Sequence, residues 1–225
     1  MCTLTYLPLE NGDFIVTSNR DERPSRATLA PETYKEDGVL LTYPKDVVAG
    51  GTWIGTSSLK RLVCLLNGGF KAHKREAEYS KSRGLIVREF LKVSEISTHM
   101  DQVQFKEMEP FTMVLLDWKN SLQIYELVWD GVEKYVKKLA NKPHIWSSSM
   151  LYNPEIKKLR EQWFTAWLTA HRSYEREAIL AFHRDTQKGA REHTLQMKRA
   201  AVKTISITSV EKRAIDVSMN YLSLI

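Results

Sequence analysis

A cysteine stands at position 2, directly after Met1. Removal of Met1 would make Cys2 the N-terminal residue, with a thiol nucleophile and a free α-amine on one residue. The α-amine has an ordinary pKa of about 7.7–8.0 and the thiol one of about 8.5, so both change protonation near neutral pH. A general base works best when its pKa lies near the working pH, so such a cysteine needs no separate histidine. The other residues of this kind in the first segment form the string Asn19-Arg20-Asp21-Glu22. An arginine beside a thiol favours the thiolate. A carboxylate can orient the α-amine or hold the arginine. Taken alone, Cys2 also reads as a small buried residue of a first strand, and Arg20-Asp21 as a loop ion pair.

The element that would bring these groups together is a β-hairpin. Thr3 to Pro8 is rich in β-formers, and Asn11-Gly12 suits a type I′ turn, whose two central residues need positive φ. Phe14 to Thr17 is a short apolar run of the kind a buried strand carries. The antiparallel return brings Asn19, Arg20 and Asp21 toward Cys2. Beyond the hairpin, Arg23 to Pro31 reads as a loop. Val47 to Gly55 reads as a strand with a glycine bend, and Arg61 to Leu66 as another strand entering Asn67-Gly68-Gly69. Tyr79 to Val93 has a helical stripe with Ser80 as cap, and Glu95 to Phe105 holds a short helical piece. Phe111 to Asp117 and Ser121 to Val128 form a second hairpin, followed by strands at Val132 to Val136 and His144 to Trp146. Asn153-Pro154 starts a long amphipathic helix to Arg172, with Ile156, Leu159, Trp163, Trp167 and Ala170 as its apolar stripe. Tyr174 to His183 is a further helix, and Arg184 to Arg199 a loop. Val202 to Val210 and Ala214 to Ser223 are the last strands. Strand blocks flanking helix blocks predict an α+β fold, and the 225 residues suit a single domain, 1–225.

Composition bounds the function. The chain carries only two cysteines, Cys2 and Cys64, which excludes a disulfide framework and a Cys-rich metal site. Cys64 sits in an apolar run and reads as core. The net charge of +6 raises nucleic-acid binding, but the charge is scattered and no zinc-finger or aromatic RNA-binding motif accompanies it. A basic, solvated surface explains it better. No signal peptide or membrane-length apolar run is visible, so the expected location is cytoplasmic.

Met1-Cys2-Thr3, Ser18-Asn19-Arg20-Asp21-Glu22, Gly50-Gly51-Thr52-Trp53-Ile54-Gly55, Asn67 and Ser82-Arg83-Gly84-Leu85 together resemble the NRDE family, which includes transport and Golgi organisation protein 2. The resemblance covers the first 90 or so residues well, with a weaker continuation around Ser147 to Leu159. It implies an N-terminal-nucleophile hydrolase fold: a four-layer αββα sandwich of two antiparallel sheets between helices. It also likens Cys2, Arg20 and Asp21 to the catalytic residues of cysteine-type acylases such as penicillin V acylases and bile salt hydrolases. Asn67 then corresponds to an asparagine that supports substrate or oxyanion. Asn19, Trp53 and Arg199 take substrate-binding roles, with Lys203 as the alternative late basic residue. The family has Ser-Asn before the long helix, whereas this chain has Ser147-Ser148-Ser149. Ser148 would supply that hydrogen bond with a shorter reach. Loss of one oxyanion donor costs on the order of 100- to 1,000-fold in rate.

Two functions follow from the resemblance. One is hydrolysis of a small non-peptide C–N bond, with no cofactor. The other is a non-catalytic module that binds or moves a hydrophobic ligand such as haem or lipid. For haem, His73, His99, His144, His171, His183 and His193 are the available axial ligands.

Overall fold

A computed structural model describes residues 3–74, 79 and 81–225. Met1, Cys2 and Ser80, on which sequence expectations rest, lie outside the described residues. The architecture is α+β, with two antiparallel sheets and four α-helices among the described residues. The chain divides into two compact units, residues 1–25 with 142–225 and residues 26–141. No helix among the described residues is long and apolar enough to cross a membrane.

The first unit is built on the opening hairpin. Strand β1 (Thr3–Pro8) pairs antiparallel with β2 (Phe14–Glu22), with Thr3 opposite Asn19. The turn is longer than the expected two-residue type. Leu9 N–H donates to Asp13 O at 2.9 Å, and Asn11 and Gly12 both take positive φ, 57° and 74°. That conformation is why asparagine and glycine occupy these positions. The sheet has five strands. It adds β10 (His144–Ser147) on the β1 side and β11 (Lys203–Arg213) with β12 (Asp216–Ser223) on the β2 side. Helices α3 (Pro154–Ala170) and α4 (Arg176–His183) pack on one face, where Phe164, Trp167, Ile179 and Phe182 meet Leu7, Ile15 and Leu195. Asn153 caps α3 by accepting from Ile156 N–H at 3.0 Å, and Pro154 follows it.

The second unit is a seven-stranded meander in chain order: β3 (Thr28–Glu36), β4 (Val39–Asp46), β5 (Ile54–Ser57), β6 (Arg61–Asn67), β7 (Phe111–Asp117), β8 (Gln123–Trp129) and β9 (Lys134–Leu139). Its helices are α1 (Arg83–Lys92) and α2 (Ile96–Gln102). Ile86, Val87, Phe90 and Leu91 of α1 and Ile96 and Met100 of α2 pack on Leu41, Tyr43, Val63, Leu65, Met113, Leu115 and Leu127. The alternate residues Leu62, Cys64, Leu66, Val114 and Leu116 are buried as well. A strand buried on both faces reads as a continuous apolar run, and the sequence shows that from Leu62 to Leu66.

Two expectations change here. The segment read as a loop from Arg23 to Pro31 contains the start of β3, and β4 had no sequence signal at all. Pro31 is tolerated because β3 is an edge strand with a register shift between Leu29 and Glu32. The strand expected at Val47 to Gly55 begins only at Ile54. The Asp46 carboxylate accepts from Val48 and Ala49 N–H (3.1 and 2.9 Å) and bends the chain into a turn instead.

Gly51 and Gly84 explain the close seating of α1. A Cβ at Gly51 would lie 2.4 Å from the Gly84 carbonyl carbon, and Thr52 N–H donates to Gly84 O at 3.1 Å. Both parts of the sequence pattern, Gly50-Gly51-Thr52 and Ser82-Arg83-Gly84, thus meet at one backbone contact. Gly51→Ala is expected to lower the unfolding free energy by about 3 kcal/mol in urea denaturation. A loss below about 1 kcal/mol would mean that the contact relaxes freely.

Candidate active site

The Asp21 carboxylate of the first unit is held at both of its oxygens. It lies near the end of β2, opposite Thr204 of β11, where the β11 register shifts between Thr204 and Ser206. Thr204 Oγ1 donates to Asp21 Oδ1 at 2.6 Å, and Tyr152 Oη donates to Asp21 Oδ2 at 3.1 Å. Thr204 Oγ1 accepts in turn from Met197 N–H at 2.9 Å. The two carboxylate oxygens are therefore held from two different segments, which fixes the plane of the group.

Tyr152 is itself clamped. The Arg160 guanidinium carbon lies 3.7 Å and that of Arg199 lies 5.3 Å from its ring centroid. Both distances suit attraction of a cation to the ring face. Arg160 is completely buried and reaches the first strand: its Nη1 donates to Thr3 Oγ1 at 2.5 Å. Its Nε donates to His193 O at 3.0 Å and its Nη2 to Thr194 O. Among the described residues it forms no ion pair. The apolar stripe read from α3 had no place for it. The buried positions of α3 are Arg160, Phe164 and Trp167, so of the expected stripe only Trp167 is buried. Arg160 stands four residues before Phe164, at core spacing. A cation at that spacing was the available signal for a buried polar site.

The Asn19 side chain, assigned from sequence to substrate, is bonded within the first unit. Its Nδ2 donates to His183 O at 3.0 Å and to Leu195 O at 2.7 Å, and its Oδ1 pairs with His183 Nδ1 at 2.6 Å. With both amide protons committed and the side chain fully buried, Asn19 ties β2 to α4 and to the loop at Leu195. His183 Nε2 lies 2.8 Å from Thr5 Oγ1. Because Asn19 Oδ1 can only accept, His183 carries its proton on Nδ1 and accepts from Thr5 on Nε2. This also removes His183 from the possible haem ligands, since both ring nitrogens are engaged. Burial, with the Arg160 charge adding to it, pushes the His183 pKa down to about 3.

The remaining candidates fall as follows. Arg20 is buried on β2 opposite Ser206, and strand alternation turns it to the sheet face opposite that of Asn19 and Asp21. Ser148 is buried just past β10, whose Ser147 pairs with Thr3, and its Oγ accepts from Met150 N–H at 3.3 Å. Arg199 donates to Leu151 O at 2.7 Å besides covering Tyr152. Lys203, the alternative, is paired in register with Glu22. These residues all belong to the first unit. Asn67 and Trp53 belong to the second: Asn67 ends β6 opposite Phe111, and Trp53 is buried just before β5 and accepts from Leu65 N–H at 2.8 Å. Cys2 is outside the described residues; Thr3, which follows it in the chain, is fully buried between Ser147 and Asn19. Among the described residues no group of three or more His, Cys, Asp or Glu side chains forms a metal site.

The His183 tie predicts a pH dependence of stability. The unfolded chain takes up a proton near the ordinary histidine pKa of 6.5, whereas the folded chain resists protonation down to about 3. Stability is therefore full above pH 6.5 and falls as the pH drops from 6.5 toward 3. The expected loss between pH 8 and pH 5 is about 2 kcal/mol by urea denaturation. His183→Gln should flatten that slope. An unchanged slope in the variant would contradict the assignment.

Comparison with known proteins places the fold. One similar solved structure is the Caenorhabditis elegans ortholog of N-acylethanolamine-hydrolyzing acid amidase, with a TM-score of 0.62, 11% identity and 92% of each chain covered. Two others are variants of the conjugated bile acid hydrolase from Clostridium perfringens. They have TM-scores of 0.53 and 0.54 and 8% identity, covering 99% and 100% of this chain and 92% of theirs. These likenesses show an N-terminal-nucleophile hydrolase fold, as the sequence resemblance implied. No curated protein matches the sequence. The family model for Transport and Golgi organisation 2 matches residues 1–218, and the chain belongs to that family.

Proposed function

We propose that this protein is an N-terminal cysteine amidohydrolase that cleaves a small non-peptide C–N bond. The observation that carries the reading is the Asp21 carboxylate, held at both oxygens on the strand paired to the one that starts at Thr3. A carboxylate kept this still is suited to orienting the α-amine of a processed Cys2. The fold supports the reaction class, since two of the proteins that share it are by name an amidase and a hydrolase. Fold alone does not fix chemistry; the residues do.

In this mechanism Met1 is removed and the α-amine of Cys2 takes the thiol proton. The Cys2 sulfur attacks the amide carbonyl carbon, and the carbonyl oxygen becomes an oxyanion. Ser148 is the donor of the first unit assigned to it. Collapse breaks the C–N bond, and the α-amine passes its proton to the leaving amine. Water then attacks the thioester, releasing a carboxylic acid and restoring the thiol. Arg20 favours the thiolate, and Arg199 is the late basic residue assigned to the substrate.

One residue favours a second reading, a module that binds a hydrophobic ligand without turnover. Ser148 stands where the family carries asparagine, and its short side chain weakens the oxyanion site. Intact-mass analysis after exposure to electrophilic amides and lactams tests the two. The catalytic reading expects native protein without Met1, one adduct on wild type and none on Cys2→Ala. Full retention of Met1, or labelling that persists in Cys2→Ala, would sink it.

A further inference from the structure

We propose that Tyr152 is a positioning residue for the nucleophile, acting through Asp21; the inference rests on the amidohydrolase reading above. Tyr152 lies between β10 and α3 and is buried, yet its hydroxyl is spent on a carboxylate 131 positions earlier in the chain. Long-range bonds of this kind cost chain entropy to form and hold a geometry that local structure does not. The ring cannot drift, because Arg160 and Arg199 both cover it. Arg160 binds Thr3 with the same guanidinium that covers Tyr152. One rigid, planar cation thus links the strand that starts at Thr3 to the phenol that orients Asp21.

Among the described residues, hydroxyls of Tyr152 and Thr204 donate to the Asp21 carboxylate, one on each oxygen. Losing one lets the carboxylate rotate about its Cβ–Cγ bond. The α-amine then loses a fixed acceptor, and the base that must take the thiol proton is misaligned. Substrate contacts are untouched. The effect should therefore fall on the acylation step and not on binding.

The test is acylation by a fluorescent β-lactam, followed as a function of probe concentration to separate the maximal rate kinact from the half-saturating concentration KI. Wild type, Cys2→Ala, Tyr152→Phe, Thr204→Val and Thr204→Ser are compared in full-length protein. Tyr152→Phe keeps the ring and both cation contacts, so it removes the hydroxyl alone. The expected result is a kinact lowered about tenfold in Tyr152→Phe with KI unchanged. Thr204→Val should show the same pattern, and Thr204→Ser, which keeps a donor, should restore the wild-type rate. A purely structural Tyr152 would lower thermal stability without moving kinact, and that result overturns the inference. A change confined to KI, or a Thr204→Ser as slow as Thr204→Val, overturns it too. If the wild type takes no label, or Cys2→Ala labels equally, the amidohydrolase reading fails and this inference with it. If labelling requires Cys2 but Tyr152→Phe acylates at the wild-type rate, only this inference fails.

Discussion

The guanidinium of Arg160 is a full charge in the interior of the first unit, with no carboxylate paired to it among the described residues. Taking such a group out of water is unfavourable unless every donor finds an acceptor. Here the acceptors are the His193 and Thr194 carbonyls and the Thr3 hydroxyl, and the π face of Tyr152 covers the plane. These partners come from three parts of the chain: the first strand, the segment before α3 and the loop after α4. Removing any of them would strand part of the charge. The geometry of the unit around β1 is consequently set by this one side chain. His183 responds to the same charge, which together with burial keeps it neutral and allows the Asn19–His183–Thr5 tie to form.

The second unit solves a similar problem differently. Arg61 is as deeply buried, but its charge is matched by Asp117 through Nε and Nη2, at 3.0 and 2.9 Å. Its Nη1 caps the end of α1 by donating to the Phe90 and Val93 carbonyls. That satisfies groups which a helix end leaves without intrahelical partners. The helix start is held by the glycine pair at Gly51 and Gly84. Both ends of α1 are therefore fixed on the sheet, as are β5 and β6, which carry the flanks of Trp53 and Asn67.

Most of the secondary structure was legible in the sequence because the signals were local. Asn11-Gly12 marked the first turn and Asn153-Pro154 the start of α3, and the apolar run at Leu62 to Leu66 marked a buried strand. The edge strand β3 and its neighbour β4 were not legible. Their burial is partial, and Pro31, Asp37-Gly38 and Pro44 carry turn-like signals within or between them. Among the candidate site residues, Arg20, Asp21 and Ser148 were named from spacing and family resemblance. Tyr152, Thr204 and Arg160 were not, because their importance lies in partners 131, 183 and 157 positions away. Asn19 shows the complementary case: its place in a motif suggested ligand contact, while its hydrogen-bond partners are distant in sequence.

The central claim is that Cys2, once exposed as the N-terminus, is the group that becomes acylated. Tandem mass spectrometry of the N-terminal peptide from substrate-trapped protein tests it most directly. The account predicts a peptide that begins at Cys2, with the acyl group on sulfur as a hydroxylamine-labile thioester and the α-amine unmodified. An acyl group on Cys64 or on the α-amine, or an N-terminal peptide that still carries Met1, would contradict it.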